Sequence, residues 1–493
     1  MKNPGLRRME QILPFVLSGL MVVSILMMMG SPASATVDEY SYNFAWYDNN
    51  PAWGMNGDWI VISNRGTVNA ADVKIEIGGT VVALYNAGNA IAPGAEVQWQ
   101  SPTTVTNGPV KVSSMNGEPL GVSQRVLYKD SFNELNAVKG NDLENDYFFT
   151  WYDNNSAWGM NGNWICATNM GSQETMVKIY VGDISNTAIP VATLGPIPHG
   201  GHVEWQSPTT LTNGPVRVTS SNGQPLLAGQ RVLYKNSFNE VTGVGASRPG
   251  GEAIFPWYDD NPAWGMNGNW LLVANFDDNG FDPARVQIKI GDTYMHDPLH
   301  PENNFFTIGP GDYITPQFPG VTNGPVHVTC SNCVSGQRLV ISQRTIYKDS
   351  FEEIQGVSPI DVGSNWTYPV EVPGGESQTV TLIPGNDIGP NAWFNWYDAN
   401  PGNGMLGDWV LVANPSISSL GVKIKIGTSY MDNPATGTKI FTVGPGGVIT
   451  PSFAPMTDGP VSVECQNCDA GQKLVISQRV IYKNSFNEVI GRP

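Results

Sequence analysis

The stretch WYDNNPAWGMNGDWIVISN, residues 46–64, carries two signals. Its first part crowds aromatics, glycines, asparagines and acids together. That mix suits a sugar-binding cleft, a calcium loop or a tight corner in a β-fold. Its last part, WIVISN, is apolar without alternation, as expected of a central strand covered on both faces. The chain then says the phrase again: WYDNNSAWGMNGNW begins at Trp151, WYDDNPAWGMNGNW at Trp257 and WYDANPGNGMLGDW at Trp396.

Each copy closes on a second shared phrase: SQRVLYKDSFNE from Ser123, GQRVLYKNSFNE from Gly229, SQRTIYKDSFEE from Ser342 and SQRVIYKNSFNE from Ser477. Between the two lie VKIEIG, VKIYVG, VQIKIG and VKIKIG, then GPV and a polar–apolar alternation. In VKIEIG, Val73, Ile75 and Ile77 alternate with Lys74 and Glu76, which is the period of a strand with one wet face. Asn116-Gly117 and Asn222-Gly223 mark hairpin turns in the first two copies. Seven or eight strand-like runs in about 100 residues, and no amphipathic helix, predict an antiparallel β-sandwich of immunoglobulin-like size in each copy. The fold class is therefore all-β, four tandem antiparallel β-sandwiches after an N-terminal signal peptide. The expected domains are repeats 40–141 and 145–246 (type A) and repeats 251–357 and 392–493 (type B). Residues 358–391, rich in Pro, Gly, Ser and Thr, read as a linker or a small β insertion. Each unit is expected to bury its own core, so the array reads as beads on a string with its widest hinge at 358–391.

A chain of 493 residues is too long for one ordinary core. Lys2, Arg7 and Arg8, an apolar run from Ile12 and then Ala33-Ser34-Ala35 form a secretory signal over residues 1–35, with an uncleaved anchor as the alternative. The net charge of −17 grows more negative without this segment, which disfavours nucleic acid and anionic membrane surfaces as partners. No membrane span is expected after cleavage. No sorting motif follows SFNEVIGRP, so covalent anchoring is not expected.

In an exported chain the two CxxC pairs, Cys330/Cys333 and Cys465/Cys468, read as local disulfides at hairpin tips, and Cys166 as a small buried side chain. Every copy has one Asp in WYD and one Arg in QR. Asp48/Arg125, Asp153/Arg231, Asp259/Arg344 and Asp398/Arg479 are therefore expected to pair as buried ions. On this reading Trp46, Tyr47 and Trp59 enter the core, and the middle residues Trp53, Trp158 and Trp264 form an exposed binding tip; the fourth copy has Asn403 there. Asp277, Asp278, Asn279 and Asp282 resemble a calcium loop without the later glutamate of an EF-hand. His199/His202 and His296/His300 have metal-like spacing, but each pair occurs in one copy only and reads as loop histidines. Asn154 and Asn365 open glycosylation sequons.

The phrases WYD…GM…W and QR..Y..SFNE resemble repeat domains of secreted, surface-exposed prokaryotic proteins, over nearly all of residues 40–493. The resemblance implies β-domains at the cell envelope and supplies no catalytic residues. No G-x-S-x-G, H-E-x-x-H or phosphate loop is present, and four active sites in tandem would be unusual. The expected function is a non-enzymatic, secreted repeat protein of cell-surface structure or adhesion. Its partners are then copies of itself, other surface proteins or glycans. No cofactor is required, and calcium is a candidate for bridging acidic faces. The alternatives are a carbohydrate-binding array using the middle tryptophans and a hydrolase with an unrecognised site.

Overall fold

Strand pairing in the first copy builds two main sheets, besides a two-stranded pairing of Tyr47–Asp48 with Thr106–Asn107. One runs in the order Val138–Lys139, Ser41–Phe44, Val110–Ser114, Val73–Ile77, Thr80–Tyr85; the other runs Ser131–Asn136, Leu120–Tyr128, Met55–Asn64, Glu96–Trp99. All pairs are antiparallel. The computed structural model describes residues 40–492 except 71, 186–187, 249, 277–282, 334–338, 358–368, 372–376, 380–389 and 470–473. The other three copies repeat the plan, each with a five-stranded and a four-stranded sheet. The protein is all-β, with sandwiches as expected. The signal segment and the calcium-like loop at 277–282 lie outside the described residues. Within 358–391, Pro369–Glu371 pairs with Ser377–Thr379 as a two-stranded hairpin.

Alternation explains the sandwich core. Val73, Ile75 and Ile77 meet Ile60, Ile62, Val110, Val112, Val122 and Tyr47, all buried. WIVISN sends Ile60 and Ile62 to this core, yet Val61 and Ser63 on its other face are also buried.

The four sandwiches are not beads on a string. Their closing strands, Ser131–Asn136, Ser237–Thr242, Ser350–Gln355 and Ser485–Ile490, meet one another around a closed ring. Ser131 Oγ accepts from Phe238 N at 3.0 Å, Ser237 Oγ from Phe351 N at 3.0 Å, Ser350 Oγ from Phe486 N at 3.3 Å, and Ser485 Oγ from Phe132 N at 3.1 Å. The third position does the same one step on: Asn133 Oδ1 accepts from Glu240 N and Asn487 Oδ1 from Glu134 N, each at 3.2 Å. Each closing strand is the edge of its four-stranded sheet, and its outward N–H groups would otherwise lack partners. Serine and asparagine supply them from the neighbouring copy.

Phenylalanine supplies the apolar part. Phe238 packs on Met55, Val126 and Tyr128 of the first copy, and Phe351 on Met160 and Val232 of the second. Phe486 packs on Met266 and Tyr347 of the third, and Phe132 on Met405 and Val480 of the fourth. The GM and SFNE phrases are therefore two halves of one contact. The buried second face of WIVISN belongs to the same assembly: Cys166 meets Ala45 of the first copy, and Ala274 meets Phe148 of the second. The beads-on-a-string array expected from the sequence is corrected on this ground, and the closing-strand edges are already occupied within the chain.

Candidate functional site

The WYD loop is the same small device four times. Asp48 Oδ1 accepts from Asn50 N at 2.8 Å and from Thr106 Oγ1 at 3.0 Å. Asn50 caps a single 3-10 turn, Pro51–Trp53, its side chain accepting from Ala52 N at 3.0 Å. Gly54 ends the turn at φ 90°, a conformation that a side chain would strain. In the first two copies an asparagine also clasps the facing loop, Asn49 through Ser101 O, Thr103 O and Val105 N and Asn154 in the same way; Asp260 and Ala399 stand there in the third and fourth. Tyr47 is fully buried and its hydroxyl donates to Asp58 O at 2.8 Å.

On this scaffold Trp53, Trp158 and Trp264 project into solvent, each 69% exposed, as the sequence suggested. Asn403 in the fourth copy instead donates to Asp398 Oδ2 at 2.9 Å. Each tip sits beside the lysine of its own YK turn: Lys129 N donates to Gly54 O at 2.9 Å. Those lysines step around one end of the ring, Lys129 to Asn236, Lys235 to Asp349, Lys348 to Asn484 and Lys483 to Asp130. The three tryptophans therefore surround the same end. Tyr47 takes its expected core position, but Trp59 and Trp46 do not. Trp59 is only partly buried and folds back over Gly57. Trp46 is buried between copies, edge-on to His202 at 4.5 Å between ring centres.

The expected Asp–Arg pairs do not form. Arg125 pairs with Glu134 at 2.7 Å, Arg231 with Glu240 at 2.9 Å, and Arg344 with Glu353 and Arg479 with Glu488 at 2.6 Å. Asp48, Asp153, Asp259 and Asp398 each serve their own loop, accepting from the residue two further on and from Thr106, Thr212, Thr322 and Thr457. The physical reason is register. The YK turn joins two residues, Tyr128 faces Ser131, and Arg125 therefore lies directly opposite Glu134. A cross-strand pair is closer to hand than a loop carboxylate. The glutamates are the polar residues that the reading missed, and counting back from the turn would have found them.

Cys330, the last residue of strand Val326–Cys330, bonds to Cys333, and Cys465, the last of Val461–Cys465, bonds to Cys468. Cys166 is free and buried, and burial pushes its thiol up, as fits an unreactive side chain. Labelling of unfolded, unreduced chain with a thiol reagent is expected to modify one cysteine; a count of five, or bound zinc, would overturn the pairing. Loops this short remove little chain entropy, so reduction is expected to cost less than about 3 kcal/mol. His199 and His202 are bound to Gly171 O and Gly108 O, and His296 and His300 are exposed. No cluster of metal-ligating residues occurs among the described residues. Asn154 Nδ2 is committed to Ser207 O and Thr209 O, which leaves its sequon poorly disposed for a glycan.

No family model matches the chain, and no curated protein matches it. Among solved structures, a Streptomyces avermitilis alpha-L-rhamnosidase complexed with L-rhamnose aligns with 89% of this chain and 54% of its own, at 10% identity and a TM-score of 0.14. The chain thus spans about half of that enzyme, and a likeness this low carries no argument.

Proposed function

We propose that the protein is an exported, non-catalytic adhesion module that binds a repetitive saccharide surface through Trp53, Trp158 and Trp264. The observation that carries this reading is the threefold recurrence of an indole at 69% exposure on a capped, rigid turn. Large exposed aromatics held in place suit stacking on sugar rings, since little side-chain entropy is lost on binding. Three such platforms around one end of a ring would add their weak affinities on a repeating ligand. The non-catalytic part draws support from the recurring carboxylates: those of WYD hold the loop, and those of SFNE hold arginine. The disulfides fit an oxidising compartment. No helix among the described residues is long and apolar enough to cross a membrane.

A glycan array followed by tryptophan-fluorescence titration tests the reading. Trp53→Ala, Trp158→Ala and Trp264→Ala together should abolish saccharide-dependent quenching and leave stability within about 0.5 kcal/mol, as is usual for exposed positions. Unaltered binding in the triple variant, or no binding by the parent chain, would refute it.

A further inference from the structure

The ring has four seams, and one of them is chemically different from the other three. At three seams the contact is apolar. Between the first and second copies, Met170 and Leu227 meet Ala45 and Val138. Between the second and third, Phe276 and Val340 meet Phe148 and Val244. Between the third and fourth, Val475 meets Ile254 and Val357. The repeat register places Arg65 where Met170, Phe276 and Pro415 stand, Gly121 where Leu227, Val340 and Val475 stand, and Arg492 where Val138, Val244 and Val357 stand. All three exchanges fall at the seam that closes the fourth copy onto the first.

Their joint effect is a cavity of about 270 Å³ lined by Arg65, Arg492, Arg248, Lys139, Asp142 and Tyr42, among others. Loss of the side chain at Gly121 makes the room: a Cβ there would lie 2.5 Å from Arg65 Nε and from Ser63 Oγ and Asn395 Oδ1. Arg248 is engaged by Asp142 at 3.0 Å. Arg65 has no such partner among the described residues. Its guanidinium lies over the Trp393 ring at 5.7 Å, and its Nε is buried with no hydrogen bond. Burial, together with the nearby Arg492 charge, pushes Arg65 down to about 10, against the favourable pull of Tyr42. A partly buried guanidinium without a counter-charge is costly, and a second arginine beside it raises the cost. A Met and a Val would be the cheaper choice, and the chain uses them at its own first seam.

We propose that this closing seam is a binding site for one oxyanion, a sulfate, phosphate or carboxylate group, held by the guanidinium groups of Arg65 and Arg492. Arginine suits the task because its planar fork bonds such groups through two parallel N–H donors. The site is independent of the tryptophan tips, which lie on other loops. The volume, open on one side, admits a small inorganic anion or one acidic monosaccharide.

Isothermal titration of the full chain with inorganic sulfate, inorganic phosphate and glucuronate, against sodium chloride of matched ionic strength, tests the proposal. Saturable binding of at least one probe at one site per chain is expected, with a rise in melting temperature of a few degrees at saturation. Glucuronate binding tighter than sulfate or phosphate assigns an acidic sugar; the reverse order assigns an inorganic anion. Arg65→Met with Arg492→Val rebuilds the apolar seam found between the first two copies, so it should fold, and it should lose the site. Arg65→Gln alone should weaken binding at least tenfold, and near-ultraviolet circular dichroism checks that both variants keep their packing. No saturable binding of any probe by the parent chain, or equal binding by the folded double variant, overturns the proposal.

Discussion

A chain carrying Glu240→Gln is expected to lose about 3–5 kcal/mol of stability, because Arg231 is left as an unpaired buried cation. The pair is the most enclosed of the four, with side-chain exposures of 9% and 1%. Desolvation is the largest influence on Arg231 and works against its charge, but Glu240, with Cys166, Glu204 and Asp48 behind it, outweighs that cost and holds the guanidinium ionised; burial in turn lifts the Glu240 carboxyl, and Arg231 draws it only part of the way back. Arg231 also lies over the rings of Phe238 at 5.0 Å and Trp46 at 5.8 Å, so a displaced guanidinium would disturb a seam as well as its own sheet. Asp153→Asn is the informative comparison. That carboxylate accepts from Asn155 N and Thr212 Oγ1 in a loop, so its loss should cost about 1 kcal/mol, like the loss of a cap. Denaturant midpoints of the two variants measure the difference. Equal losses would mean that the WYD aspartate, not the SFNE glutamate, neutralises the arginine.

The contrast also shows what was legible beforehand. Strand content, sandwich cores and the exposed tryptophans follow from local patterns: Val73, Ile75 and Ile77 declare their face by alternation, and the loss of Trp at Asn403 marks a position free of packing duty. The ring was written in the sequence too, but in a form that periodicity alone does not decode. WIVISN has no polar face because a second sandwich covers it, and the same absence of alternation would arise within one large domain. SFNE reads as a polar strand end. Three of its four side chains make sense only once another copy stands beside them: Ser and Asn accept the neighbour's N–H groups and Phe fills the neighbour's Met–Tyr pocket, while Glu holds the arginine of its own hairpin. Repeats of one chain can satisfy one another through side chains on edge strands without any ladder between sheets, and no strand signal reports that. The misplaced arginine partner had a different cause. The two-residue turn at Lys129, with its φ of 50°, fixes Arg125 opposite Glu134, and register arithmetic at that hairpin decides the pair before tertiary structure enters.

The protein is expected to be less stable at about pH 8 than at about pH 5, with Asp58 supplying a measurable share of the loss. Asp58 is fully buried, and burial pushes its carboxyl up to about 8, although the Asp48 N–H and the Gln124 amide, at 2.8 Å and 2.8–2.9 Å, pull it down. Between about pH 4 and about pH 8 the native carboxyl keeps a proton that the unfolded chain has lost. The unfolded state then binds fewer protons, so the free energy of unfolding falls by about 1.4 kcal/mol per pH unit for this group. The contribution is intact below the unfolded value and gone above the folded one. Glu96, pushed up to about 8 chiefly by burial, and Asp408 and Glu352, raised for the same reason, act with the same sign. The second and third copies place Asn163 and Asn269 where Asp58 and Asp408 stand, bonded to the equivalent glutamine amides at 3.0 Å, so the loop accommodates a neutral side chain. Asp58→Asn with Asp408→Asn should therefore fold, melt higher than the parent at about pH 8, and show a pH slope flatter by at least about 1.4 kcal/mol per unit. Parallel slopes for the parent and the double variant across that window would show that both aspartates are ionised in the native ring, and that its loops hold two buried carboxylates as charges.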